Sequence, residues 1–183
     1  MISRRLLGAV IVLAVWGLSY AHALTPGATC ERVASDGLRK CVRKVGSAQQ
    51  RCYRATGAAC LASDSKLTAA YATLSKNLLA KCPDQPTVTA AGYPTALIPA
   101  GLDARLREAC GSAVATFVAR SYGGPHAAVR DTGSTFDQKC LDRTLDRGLK
   151  LLNYELRQQS RCLRDAHAGK TCGATAVTAS GRC

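Results

Sequence analysis

Cysteine is the residue type in this chain with the most chemistry to offer, and there are ten of them in 183 residues. They could ligate a metal, shuttle electrons or cross-link the fold. Zinc and redox sites of small proteins are built on C-x-x-C pairs, and haem attachment on C-x-x-C-H. Neither pattern occurs, and only three histidines could supply imidazole ligands. Structural cross-linking is what remains. An even cysteine count behind an export-type leader reads as a disulfide framework made in an oxidising compartment.

The other reactive residue types form no catalytic set. The chain has no G-x-S-x-G, H-E-x-x-H or phosphate-binding loop. His126 follows Gly123-Gly124-Pro125 in a turn between helices and has no visible partner. It is the one position where a general base of a small secreted hydrolase could sit. Asp142, Asp146 and Glu155 stand among Lys139, Arg143, Arg147 and Lys150 at helical spacing. They read as surface ion pairs rather than as an acid–base couple. No motif calls for a cofactor or a metal.

The leader is residues 1–23. Met1–Arg5 is short and basic, Leu6–Leu18 is an apolar run, and Ala21-His22-Ala23 is a small-x-small cleavage site. A run of that length falls short of the ~20 residues a membrane span wants. Cleavage after Ala23 leaves a secreted or periplasmic chain, with no transmembrane span, that keeps all ten cysteines. Its formal charge falls from +13 to +11 as Arg4 and Arg5 leave.

The cysteine spacing then dictates the helices. Cys30, Cys41 and Cys52 recur every eleven residues. Eleven helical residues turn through about 1100°, close to whole turns, so the three share one face. Thr25 as N-cap and Pro26 at the first helical position open this helix, and Gly57 interrupts it. A second helix over Ser63–Lys81 carries an apolar stripe of Leu67, Ala70, Leu74 and Leu78, and Pro83 stops it. Cys30 to Cys52 and Cys60 to Cys82 are both 22 residues apart. Folded as an antiparallel hairpin, these equal arms predict Cys52–Cys60 beside the turn and Cys30–Cys82 at the open end. Together they make residues 24–82 the first stapled unit.

Residues 83–101 hold four prolines and two glycines and read as a long loop, either a connector or a tethered binding loop. Residues 102–183 follow as a third helix, a long fourth helix and a stapled tail. The third helix, Leu102–Tyr122, places Cys110 on its apolar face as the partner for Cys41. The fourth opens at Ser134 with a capping-box pattern. It runs to about Ala166 on a leucine stripe from Leu141 to Leu163. Gln158–Arg164 echoes Gln49–Arg54, and Cys140 to Cys162 repeats the 22-residue spacing. That echo predicts Cys162–Cys172 beside a turn. The helix between Cys140 and Cys162 rises ~33 Å and eleven extended residues reach up to ~36 Å, which predicts Cys140–Cys183 along an extended tail. The expected fold is all-α: stapled antiparallel helical hairpins forming roughly a four-helix single domain over 24–183.

The 22-residue helical cysteine spacing, the R-C-x-R close of each long helix and the K-C-P end of the second helix resemble a group of secreted bacterial proteins. That group is built from repeated, Lys/Ala-rich, cysteine-stapled helical hairpins. The resemblance covers Cys30–Pro83 best and Cys140–Cys172 less closely. It implies the fold and the compartment. The group has no established activity, so no residue acquires a role from it.

The basic balance carries the functional expectation. Arg32, Arg39, Lys40, Arg43, Lys44 and Arg51 on the first helix are candidate anion-binding residues. Their partner would be an anionic envelope surface, an extracellular polymer or another secreted protein. Nucleic acid is disfavoured, because this helix offers Tyr53 as its only aromatic and no stacking platform. The chain therefore reads as a non-enzymatic binding or structural module, with a small secreted hydrolase near His126 as the alternative.

Overall fold

The computed structural model describes residues 24–123, 135–167, 169 and 170. Five helices are present among the described residues: α1 (Pro26–Thr56), α2 (Ser65–Lys81), α3 (Gln85–Ala90), α4 (Pro99–Tyr122) and α5 (Thr135–His167). No strand occurs among the described residues. The leader, His126, Cys172, Cys183 and the tail lie outside them.

The punctuation of α1 follows from its sequence. The Thr25 hydroxyl accepts a hydrogen bond from the Ala28 N–H, and Pro26 fills the first turn. Gly57 closes the helix at φ 69°, a left-handed position open to glycine without strain. α2 is capped by the Asp64 carboxylate, which accepts from the Lys66 and Leu67 N–H groups. Gly123 closes α4 in the same left-handed conformation as Gly57.

Contacts along the helices give their directions. Cys41 bridges Cys110 and Tyr53 stacks on Tyr122, so α1 and α4 run parallel. Cys30 bridges Cys82 while Cys52 bridges Cys60, so α2 returns antiparallel. Gln50 bonds the Asp142 carbonyl at one level and Ser160 bonds Ser35 at another, so α5 also runs antiparallel to α1. α2 and α5 each pack on both α1 and α4, from opposite sides of that central pair. The main core lies between them. Val42, Val45, Leu74, Val114 and Leu145 are buried there with the Cys41–Cys110 bridge. Of the leucine stripe of α5, Leu145 is fully buried and Leu141, Leu149, Leu152 and Leu156 pack against the same cluster.

The structure revises the 83–101 loop. Asp84 caps Thr87 N–H at 2.8 Å and Pro86 sits in the first turn of α3, so a proline-rich stretch becomes a short helix. Pro99 likewise starts α4 ahead of Leu102, the expected first residue. The segment closes one end of the bundle as a second core, in which Val88, Ala91 and Leu97 pack with Cys30, Leu78, Cys82 and Leu102. Gly27 makes that fit possible, since a Cβ there would lie 2.4 Å from the Ala90 carbonyl oxygen.

Three expected bridges are present: Cys30–Cys82, Cys41–Cys110 and Cys52–Cys60. Cys162 is disulfide-bonded, and Cys172, its expected partner, lies outside the described residues. The Cys140 thiol is free and exposed, and Cys183, its expected partner, lies outside the described residues.

Candidate functional site

Five of the six candidate basic residues are exposed and Arg39 is half-buried, but the six do not form one patch. The structure gathers Arg43, Lys44 and Arg51 into the crease between α1 and α2. Arg39 is held by Asp36 at 3.6 Å, and Arg32 and Lys40 lie outside the crease. A residue from the facing helix joins the three: Lys66, in the first turn of α2.

The crease exists because small residues line its base. Ser47 and Ala48 on α1 face Ala69 and Ala70 on α2, with Ala48 and Ala70 each 2% exposed. Short side chains let the two helices approach, and the long cationic stems rise from the rim with their charged ends in water. The resulting cleft has a volume of about 570 Å³, and none of its lining residues is acidic.

One acid stands at its end. Asp64 pairs with Arg51 at 3.2 Å while capping α2. Burial alone would raise its pKa, but the two backbone N–H bonds and the Arg51 guanidinium outweigh that and hold it below the ordinary 3.8. Arg51 is thus positioned by an internal partner. Arg43, Lys44 and Lys66 have no carboxylate within ion-pair distance among the described residues.

A second polar cluster is structural. Asp142 was expected at the surface of α5, paired along its own helix. It instead points between α1 and α4, where it accepts from the Tyr122 hydroxyl at 2.5 Å and from Arg54 Nε at 2.9 Å. Tyr53 and Tyr122 are fully buried and stacked with centroids 4.4 Å apart. Burial raises the Tyr53 pKa. A carboxylate that accepts from a phenol on α4 at one oxygen and from a guanidinium on α1 at the other is a joint between helices. Asp146 does form the expected pair, with Lys150 at 2.7 Å.

Cys52, Cys60 and Asp64 converge closely enough to suggest a metal site. The two sulfurs are bonded to each other, so neither is a thiolate donor, and Asp64 is already engaged. His126 lies outside the described residues. No helix among them is long and apolar enough to cross a membrane. Sequence reasoning missed Lys66 and the inward Asp142. Lys66 could have been found by laying the two arms of the hairpin side by side, which places it across from Gly46, between the levels of Lys44 and Arg51. No known protein family, curated protein or solved structure matches the chain.

Proposed function

We propose that this chain is an exported, non-enzymatic, disulfide-stapled helical module that binds an anionic partner in its envelope or surroundings through the α1/α2 crease. The observation that carries the reading is the convergence of Arg43, Lys44 and Lys66 on a cleft with no acidic lining. Like charges brought together on two cross-linked helices repel, and an anion in the crease relieves that repulsion. The leader-like N-terminus and the three bridges support export. The absence of a catalytic motif supports a binding role over turnover.

Retention on immobilised polyphosphate, eluted with a salt gradient, tests the reading. Arg43→Glu, Lys44→Glu and Lys66→Glu together should move elution to much lower salt. The control reverses Arg157, Arg161 and Arg164, which are exposed on α5 away from the crease. Equal losses in the two triple variants would mean that net charge alone drives binding, and the crease would lose its role.

A further inference from the structure

We infer that Cys52, Cys60 and Asp64 form a latent site for a zinc-class divalent cation, uncovered when a dithiol reduces the Cys52–Cys60 bridge. The inference is independent of the anionic-partner reading.

The sulfurs cannot ligate a metal while they are bonded to each other, so this bridge must open without the others. Of the three bridges described at both ends, two are sealed in the cores. Cys30, Cys82 and Cys110 are 0% exposed and Cys41 is 2% exposed. Cys52 and Cys60 are half-buried. They line a cleft of about 570 Å³ with Ala55, Ala58 and Ala59, whose short side chains keep it open. Thiol–disulfide exchange requires a thiol to reach a bridge sulfur, so access favours this bridge. Ring size favours it too. At a separation of 8, against 52 and 69, it restrains the unfolded chain least. One sulfur of the dithiol attacks a bridge sulfur, the Cys52–Cys60 bond breaks, and the second dithiol sulfur closes on the first. Two electrons and two protons pass to the pair, and the dithiol leaves as its disulfide. Metal binding then releases the two thiol protons.

Contacts other than the bridge hold the donors together. The Cys60 N–H donates to Gln49 Oε1 at 2.9 Å, and the two core bridges keep α1 seated on α2 and α4. Asp64 is fixed by its cap, in which Oδ1 accepts from the Lys66 and Leu67 N–H groups at 2.8 and 3.2 Å. Its other oxygen, Oδ2, faces Cys52 Sγ at 3.9 Å. The ligand atoms of the three residues lie within 4.8 Å of one another. Around tetrahedral zinc, two thiolate sulfurs stand about 3.8 Å apart, and a sulfur and a carboxylate oxygen about 3.6 Å. The Asp64–Cys52 distance is already close to that value. The Cα atoms of Cys52 and Cys60 are 5.2 Å apart, from which side-chain rotation can bring the sulfurs to theirs. Arg51 is the competitor, since its Nη2 bonds Oδ2 at 3.3 Å. Its side chain is 49% exposed and has water to swing into. Two thiolates and one carboxylate suit zinc, whereas calcium and magnesium take oxygen ligands.

The test treats the exported chain, its bridges intact, with graded dithiothreitol, followed by alkylation and peptide mass spectrometry. Cys140, already a free thiol, labels throughout as the reference. Cys52 and Cys60 should label at concentrations that leave Cys30, Cys41, Cys82 and Cys110 unlabelled, with helical circular dichroism retained. After the dithiol is removed without air, cobalt(II) should give a thiolate charge-transfer band that zinc abolishes and that the unreduced protein lacks. Cys52→Ser and Cys60→Ser together should eliminate the band. Asp64→Asn keeps a side chain suited to the cap. It should weaken cobalt binding at least about tenfold and leave the opening of the bridge unchanged. A core bridge that opens first or in step, or helix lost on reduction, overturns the gate. A reduced protein without the band, or a band that survives the double serine variant, overturns the site. Cobalt bound as tightly by Asp64→Asn as by the parent removes the carboxylate and overturns the three-donor set.

Discussion

Removing the Cys41–Cys110 bridge as a double alanine variant is the sharpest test of how this fold is held. A disulfide acts mainly by restricting the unfolded chain, by an amount that grows with the ring it closes. The two cysteines are 69 residues apart, which on its own corresponds to about 4.4 kcal/mol. The Cys30–Cys82 bridge offers a shorter path, from Cys41 back to Cys30 and on from Cys82 to Cys110. The smallest ring is then about 40 residues and the effect about 3.9 kcal/mol. Both cysteines are buried in the main core, so alanine also leaves a small void worth up to about 1 kcal/mol. We expect a loss of about 4 kcal/mol and a fall in Tm of ~8–16 °C for a chain of this size. The Cys52–Cys60 bridge, with a separation of 8, should contribute only about 2.5 kcal/mol by the same relation. Urea unfolding without reductant, followed by circular dichroism, measures both. A loss below about 1.5 kcal/mol at Cys41–Cys110, or a larger loss at Cys52–Cys60, would refute the ring-size reasoning.

Tyr122→Phe removes the hydroxyl that donates to Asp142 and should cost about 1.5–3 kcal/mol in urea unfolding, a hydrogen bond to a charged group. Gly27→Ala drives a Cβ onto the Ala90 carbonyl, where backbone has little room to shift, and should cost about 1–3 kcal/mol. Alkali should also destabilise the fold. Burial raises the Tyr53 pKa above its ordinary 10.0, so the folded state keeps the phenolic proton that the unfolded chain releases. This contribution is full below pH 10.0 and is lost as pH climbs past it, which a series of alkaline melts would show. Acid acts oppositely at Asp64. Its lowered pKa gives stability that is present above 3.8 and is lost as pH falls below that value, and Asp64→Asn should flatten this limb of the acid melting profile.

The bridges were legible because they obey arithmetic. Two arms of 22 residues and an eleven-residue repeat leave a helical hairpin one way to close, and the structure closes it that way at Cys30–Cys82 and Cys52–Cys60. Helix ends at Thr25, Pro26 and Gly57 were legible because capping is local chemistry. What the sequence hid was relative placement. Asp142 sits among cations within four residues on either side, as a surface pair would, and only the wedge of α5 between α1 and α4 turns it inward. The 83–101 segment misled through its prolines, two of which sit in first turns where their missing N–H costs nothing. The crease was half legible, since periodicity along α1 shows one wall and Lys66 belongs to the other.

The overlap of the bridges has one more consequence. Cys30–Cys82 and Cys41–Cys110 interlock, so every peptide bond between residues 30 and 110 lies inside at least one closed ring. A protease that cuts once anywhere in that span severs the backbone without releasing a fragment, and the nicked molecule keeps its crease. Between α4 and α5 no described bridge crosses. A single cut there leaves α5 attached to the rest, among the described contacts, by packing and by hydrogen bonds, those of Asp142 to α1 and α4 and that of Ser160 to Ser35. Three long helices are thus held in one closed covalent mesh, and among the described residues α5 joins it through non-covalent contacts.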